Sequence, residues 1–218
     1  MTMKLKLPAV ALALLLAALT PLLSGCFGVA AVGVGAGALM AADRRPAETN
    51  VTDSGIELRA SNRIREKFGD KAHVSVTSYN RSVLLTGGVV DAATRSAVEQ
   101  LVSGVPNVRA VSNELQIAGA ATYTSQGNDA YITTKVKARF VDSNKFAVNH
   151  VKVVTEAGVV YLLGIVTKSE ADAAVDIART TAGVLKVVRV FEIINDERAR
   201  QLDSMPAEPA KSPAAPKP

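Results

Sequence analysis

The sequence predicts an α+β protein in which one unit of helix, strand, strand, helix, strand is written twice between about residues 54 and 194. Three observations predict it. Blocks recur at a nearly constant offset. His73-Val74-Ser75-Val76 is echoed by His150-Val151-Lys152-Val153, and Val83-Leu84-Leu85-Thr86-Gly87 by Val160-Tyr161-Leu162-Leu163-Gly164; Val108, Val111, Leu115 and Ile117 return as Val184, Val187, Phe191 and Ile193. Apolar residues at every fourth position, Ala60, Ile64 and Phe68 in one copy and Ile132, Val136 and Phe140 in the other, line one side of a helix. Alternation at Val74 and Val76, then at Val83, Leu85, Gly87 and Val89, marks strands with a single apolar face. The order places two helices on one face of a three-stranded mixed sheet. A unit this small buries only a modest fraction of its surface, so the copies are expected to support each other.

Taken in order, residues 1–25 read as a secretory signal. Lys4 and Lys6 precede an apolar run from Leu7 to Leu23, and Ser24 and Gly25 lead into Cys26, the only cysteine of the chain. Residues 26–53 form an apolar leader and linker. The glycine- and alanine-rich part, 27–42, either lies against a bilayer or packs on a copy of itself, and 46–54 reads as a connection. The first unit spans 54–118, with its first helix ending at Phe68 and its second starting near Asp91 on a stripe of Ala93, Ala97, Val98 and Leu101. Residues 119–128 are a linker, and the second unit spans 129–194. Its second helix begins near Lys168 on Ala171, Ala174, Val175 and Ala178, and its longer connection, Val141 to Asn149, either covers a core edge or reaches a partner. Hairpin turns are expected at Tyr79-Asn80-Arg81 and Glu156-Ala157-Gly158. Gly87 and Gly164 are expected to let a helix approach the sheet. The remainder, 195–218, is a short charged helical extension and a disordered proline- and alanine-rich tail.

The outward strand positions distinguish the copies. In the first they are mostly polar (Ser75, Thr77, Leu84, Thr86, Gly88), a face suited to water. In the second, Val154, Tyr161, Leu163, Ile165, Val188 and Val190 make an apolar patch, and a solvent-facing sheet does not carry one unless something covers it. The cover is either the first unit or a partner, whether another protein or another copy.

Composition excludes several functions. Formal net charge is +5, and removal of the signal with its two lysines leaves +3, too weak and too mixed to indicate nucleic acid as a partner. The cationic run Arg59, Arg63, Arg65 and Lys67 is interrupted by Glu57 and Glu66; it reads as a solvated face or one docked on acidic residues such as Asp172 and Asp176. His73 and His150, the only histidines, stand at equivalent positions and imply a shared structural role. Neither has ligand neighbours at a metal spacing or lies by a nucleophile elbow, so no enzyme, no metal and no cofactor is expected.

The Leu23-Ser24-Gly25-Cys26 segment resembles a bacterial lipoprotein signal, in which the cysteine sulfur takes diacylglycerol, cleavage falls just before it, and the new amino terminus is acylated. Phe27, where an Asp would retain such a protein at the inner membrane, implies the outer membrane with the body facing the periplasm. The repeats carry a strand ending at glycine and, after a helix, Gly-Val and a further valine. These read Val83 to Gly87 with Asn107-Val108-Arg109-Ala110-Val111, and Val160 to Gly164 with Gly183-Val184-Leu185-Lys186-Val187. In this the chain is similar to envelope lipoproteins with two BON domains; Asn107 departs from the usual glycine but tolerates a left-handed backbone. The resemblance implies non-enzymatic maintenance of the outer membrane, covalent lipid on Cys26, and contact with anionic phospholipid such as phosphatidylglycerol or cardiolipin through the first helix of the second domain, about residues 129–141. With Ile132, Val136 and Phe140 inward, that helix presents Tyr131, Thr134, Ala138 and Val141 beside Lys135 and Lys137, a mix of amphipathic, small and cationic groups suited to a lipid headgroup layer. The competing reading is an adaptor whose apolar second sheet face recruits an envelope partner.

Overall fold

The computed structural model describes residues 43–117 and 126–205, with Gln126 by its backbone alone. The signal, Cys26, the leader over 27–42, most of the linker expected at 119–128 and the end of the tail lie outside the described residues. Helix α1 runs Ala47–Phe68, strands β1 and β2 run Ala72–Tyr79 and Ser82–Val89, and helix α2 runs Ala92–Ser103. Two short strands, β3 (Ala110–Asn113) and β4 (Gln116–Ile117), follow. The second copy is α3 (Gln126–Ser143), β5 (Val151–Glu156), β6 (Val159–Thr167), α4 (Lys168–Arg179) and β7 (Lys186–Ile194). A last helix, α5, runs Asp196–Asp203. In each sheet the first hairpin is antiparallel and the final strand returns parallel to the middle one. The third position of the first sheet is filled in turn by β3 and β4, both paired to β2.

The first helix begins earlier than the sequence implies. Residues 47–53, read as linker, are helical because the segment is tied down at its start: Arg45 donates to both Asp43 and Asp53. Ile56, Ala60 and Ile64 form its buried row, so Ile64, not Phe68, is the counterpart of Phe140; Phe68 packs at the edge of the core. Residues 126–128 are likewise helix rather than linker. In α2 the buried row is Thr94, Val98 and Val102, with Ala93 turned to water. Asp91 sits at the N-cap, where its carboxylate accepts the Thr94 N–H and thereby fixes the rotation of the helix. Helix α4 starts on a capping box of Thr167 and Glu170.

Both hairpins close on two residues with left-handed backbone, Asn80 and Arg81 in one and Ala157 and Gly158 in the other, the geometry that matches strand twist. A carboxylate from the facing helix reads each turn. Asp53, 3% exposed, accepts the N–H groups of Asn80 and Arg81 and the Ser78 hydroxyl. Asp129, 7% exposed, accepts those of Ala157 and Gly158. Gly87 and Gly164 have a different task from the one expected: a Cβ at either would collide with the carbonyl oxygen of His73 in β1 or of His150 just ahead of β5, so the close approach is to the backbone of the neighbouring strand or its entry. The two histidines therefore share a backbone role, while their side chains diverge, His73 exposed and His150 buried.

Each domain has its own core between sheet and helices. The connection after α3 covers part of the second: Phe146 packs edge to face on Phe140 at 5.1 Å, with Val148 beside it.

Candidate functional site

The apolar outward face of the second sheet is covered by the first domain. Tyr161, Leu163 and Ile165 are buried in one cluster with Tyr79 and Leu84 of the first domain, and Val154, Val188 and Val190 pack around them. The first domain's outward face is thus not the water-facing one expected, since Leu84 and Thr86 are 0% and 1% exposed. Five large buried side chains contribute on the order of 10 kcal/mol. Polar links at the rim fix register: Asn80 Nδ2 and Arg109 both donate to Glu192, and Lys152 pairs with Glu57 at 3.5 Å. Exposed links of this kind contribute at most about 1 kcal/mol each, so apolar burial holds the domains together.

A second joint lies at the start of the described chain. Arg44, 5% exposed, sends one guanidinium to Glu170 at 2.7 Å, to Asp203 at 2.7 Å and to the Ile165 carbonyl at 3.0 Å. Burial opposes its charge, but these partners prevail and raise its pKa. Burial also works against the Glu170 carboxylate, yet His150 at 3.4 Å and hydrogen bonds from Arg44 and the Thr167 N–H hold it far below the usual range. Asp203 is lowered by its hydrogen bond to Arg44. The chain ahead of α1 and the end of α5 are thereby pinned together on the second domain.

On the second domain α3 turns one side to solvent. Ile132, Val136 and Phe140 are 1%, 0% and 0% exposed, which turns Tyr131 and Val141, each 61% exposed, to water together with Thr134, Lys137 and Ala138. Lys135 is half-buried, donating to the Ala182 carbonyl at 2.8 Å with its ammonium 5.0 Å from the Tyr131 ring. That bond, with those of Arg139 to the Ile177 carbonyl and the Thr181 hydroxyl, holds the α4–β7 loop against the helix. That loop carries Leu185, 80% exposed, at the position held by Arg109 in the first domain. Sequence reasoning missed Leu185, although the repeat contained the signal: an apolar residue replaces a cation at a matched loop position. The arginine run of α1 does not meet Asp172 and Asp176, which pair with Lys168 and Arg179 on their own helix. Among the described residues no group of three or more His, Cys, Asp or Glu side chains is arranged to hold a metal ion, and no helix is long and apolar enough to cross a membrane.

Two copies of one helix-and-sheet unit, joined sheet to sheet, with a buried carboxylate on each hairpin and an amphipathic helix on one flank, define a tandem small-domain α+β protein. The family model for the BON domain matches residues 52–119 and 128–195, and the chain belongs to that family with two domains. It is 36% identical over 186 residues, 84% of this chain and 96% of the relative, to the outer membrane lipoprotein DolP of Haemophilus influenzae. A 21 kDa hemolysin of Actinobacillus pleuropneumoniae is 30% identical over 70% of this chain and 79% of its own length. The osmotically-inducible protein Y of Escherichia coli is 32% identical over 52% of this chain and 58% of its own.

Proposed function

We infer that the protein is a lipid-anchored, non-catalytic envelope protein of the outer membrane, tethered through Cys26, whose second domain lays α3 against anionic phospholipid such as phosphatidylglycerol or cardiolipin. Its similarity across nearly the full length of an outer membrane lipoprotein supports the envelope assignment. The observation that carries the lipid contact is the exposure of Tyr131 and Val141 beside Lys135 and Lys137, with Leu185 exposed on the loop whose Ala182 carbonyl Lys135 holds. A tyrosine and aliphatic groups enter the interface while lysine stems bring ammonium groups to phosphate. Each lysine contributes about 1 kcal/mol near an anionic surface, which is weak alone but sufficient to orient a body already held there by a lipid tether. The adaptor reading loses support because the apolar sheet face on which it rests is filled by Tyr79 and Leu84.

Nuclear magnetic resonance titration of Ala41–Pro218 with phosphatidylglycerol micelles tests the reading. Shifts concentrated in 129–141 and at Leu185 are the expected result. Shifts absent from these residues, or equally large with zwitterionic micelles, remove α3 from the mechanism.

A further inference from the structure

The cationic run of α1 stands without counter-charge. Arg59, Arg63, Arg65 and Lys67 are all exposed, and Glu66 is the only acidic residue from Leu58 to Phe68. Among the described residues none of the four is paired with a carboxylate. Arg63 donates to the Gly104 carbonyl at 3.3 Å, Arg65 to the Asn62 side-chain oxygen at 3.2 Å, and Lys67 lies over the Phe68 ring. Helix α4 does the opposite, since its Lys168 and Arg179 are paired with Asp172 and Asp176 on the same helix. Apolar groups accompany the cations. Val51, Leu58 and Arg65 follow at intervals of seven residues, about two turns, on the side away from the buried row Ile56, Ala60 and Ile64. Val51 and Leu58 are 75% and 64% exposed, and the Arg59 guanidinium folds over Gly55, which lies between them along the helix. With Ile64 matched to Phe140, Arg59 occupies the position of Lys135, so α1 repeats on the first domain the pattern that α3 shows on the second.

The two helices face opposite ways. One core lies between the first sheet and α1 and α2, another between the second sheet and α3 and α4, and a third cluster joins the two sheets, so the layers run helices, sheet, sheet, helices. A flat bilayer that meets α3 therefore does not meet α1. We propose that the outward face of α1 holds a second anionic phospholipid bilayer, so that the tethered body joins two membrane surfaces. The proposal rests on the reading of Cys26 as the anchor and α3 as the contact with the anchoring membrane. Charge complementarity selects the occupant: guanidinium groups offer paired donors to phosphate oxygens, and exposed aliphatic side chains between them suit the headgroup boundary better than an anion in water. Anionic bilayers repel one another, and a body with cations on both outer faces offsets that repulsion.

Phosphatidylglycerol vesicles that carry the full chain through its lipid are mixed with protein-free phosphatidylglycerol vesicles, and joining is read by energy transfer between dyes, one in each population. The native chain is expected to join them and to leave protein-free phosphatidylcholine vesicles apart. Arg59→Glu combined with Arg65→Glu is expected to abolish joining with an unchanged thermal transition, since both side chains are exposed. Lys137→Glu weakens α3 but keeps the tether and α1, and is expected to preserve it. Native vesicles that stay apart overturn the proposal. So does joining that survives the paired arginine substitution, is lost in Lys137→Glu, or extends equally to phosphatidylcholine. A chain that does not enter the first vesicles overturns the anchor and this proposal together, while the micelle titration reports on α3 separately.

Discussion

Replacing Lys137 separates lipid contact from folding. Its side chain is exposed on α3, on the side away from Ile132, Val136 and Phe140, so its loss removes no core packing. A lysine near an anionic leaflet contributes about 1 kcal/mol, and Lys137→Gln should therefore weaken binding about fivefold. Lys137→Glu replaces attraction with a repulsion of similar size, about 2 kcal/mol in all, or about thirtyfold. Lys135→Glu should cost more than Lys137→Glu. The ammonium of Lys135 also holds the Ala182 carbonyl, so its loss removes one of the bonds, beside those of Arg139 to Ile177 and Thr181, that tie the α4–β7 loop to the helix. The assay is co-sedimentation of Ala41–Pro218 with phosphatidylglycerol vesicles, against phosphatidylcholine as reference, at low salt and at about 0.15 M, where the Debye length is about 8 Å. Native affinity should fall with salt, and that of Lys137→Glu should fall less. Lys137→Glu binding as well as the native protein at low salt would refute the electrostatic account of this helix.

Other perturbations act on the joints. Leu163→Asp forces a charge into the fully buried sheet-to-sheet cluster, and the loss of about 2 kcal/mol of burial plus several for desolvation should unfold or part the domains, seen as a lowered or split thermal transition. Arg44→Met leaves Glu170 and Asp203 without their cation and should cost about 3 kcal/mol at neutral pH. Because both carboxyl pKa values are depressed in the fold, their contribution is present above the ordinary carboxylate range and is lost as pH falls through the folded values. The gap between Arg44→Met and the native protein in urea melts should therefore narrow in acid. At the other extreme, burial pushes Tyr79 and Tyr161 up from 10.0 to about 12, so their part in the domain joint is intact below pH 10 and is lost as pH rises toward 12. Alkaline denaturation in that window, followed by tyrosinate absorbance, should weaken when either is replaced by Phe.

Much of this architecture was legible because it rests on local periodicity. The offset between copies located three strand positions in each sheet, though not the break between β3 and β4, together with the hairpin turns at Asn80-Arg81 and Ala157-Gly158 and the inward row Ile132, Val136 and Phe140 that leaves Tyr131 and Lys137 outside. The start of α1 was not legible, since its ordering comes from salt bridges of Arg45 rather than from the helix's own pattern. Nor was the covering of Leu84: an outward row of Ser, Thr and one Leu reads as solvated until the apolar row of the other sheet is laid on it. Gly87 and Gly164 are legible as sites of close approach but not for what approaches, because contact with the carbonyls of His73 and His150 leaves no mark in residue spacing. Leu185 stood in a loop, where neither helical nor strand periodicity reports which side chain is outward.

The fork made by Arg44 also has a mechanical meaning. Force applied to the chain ahead of Asp43 reaches Arg44 before it reaches α1, and Arg44 hands it to the amino-terminal end of α4 and the last residue of α5. A pull from that end is therefore borne by the second domain, and the first, though it follows directly along the chain, is shielded from the load until that grip fails.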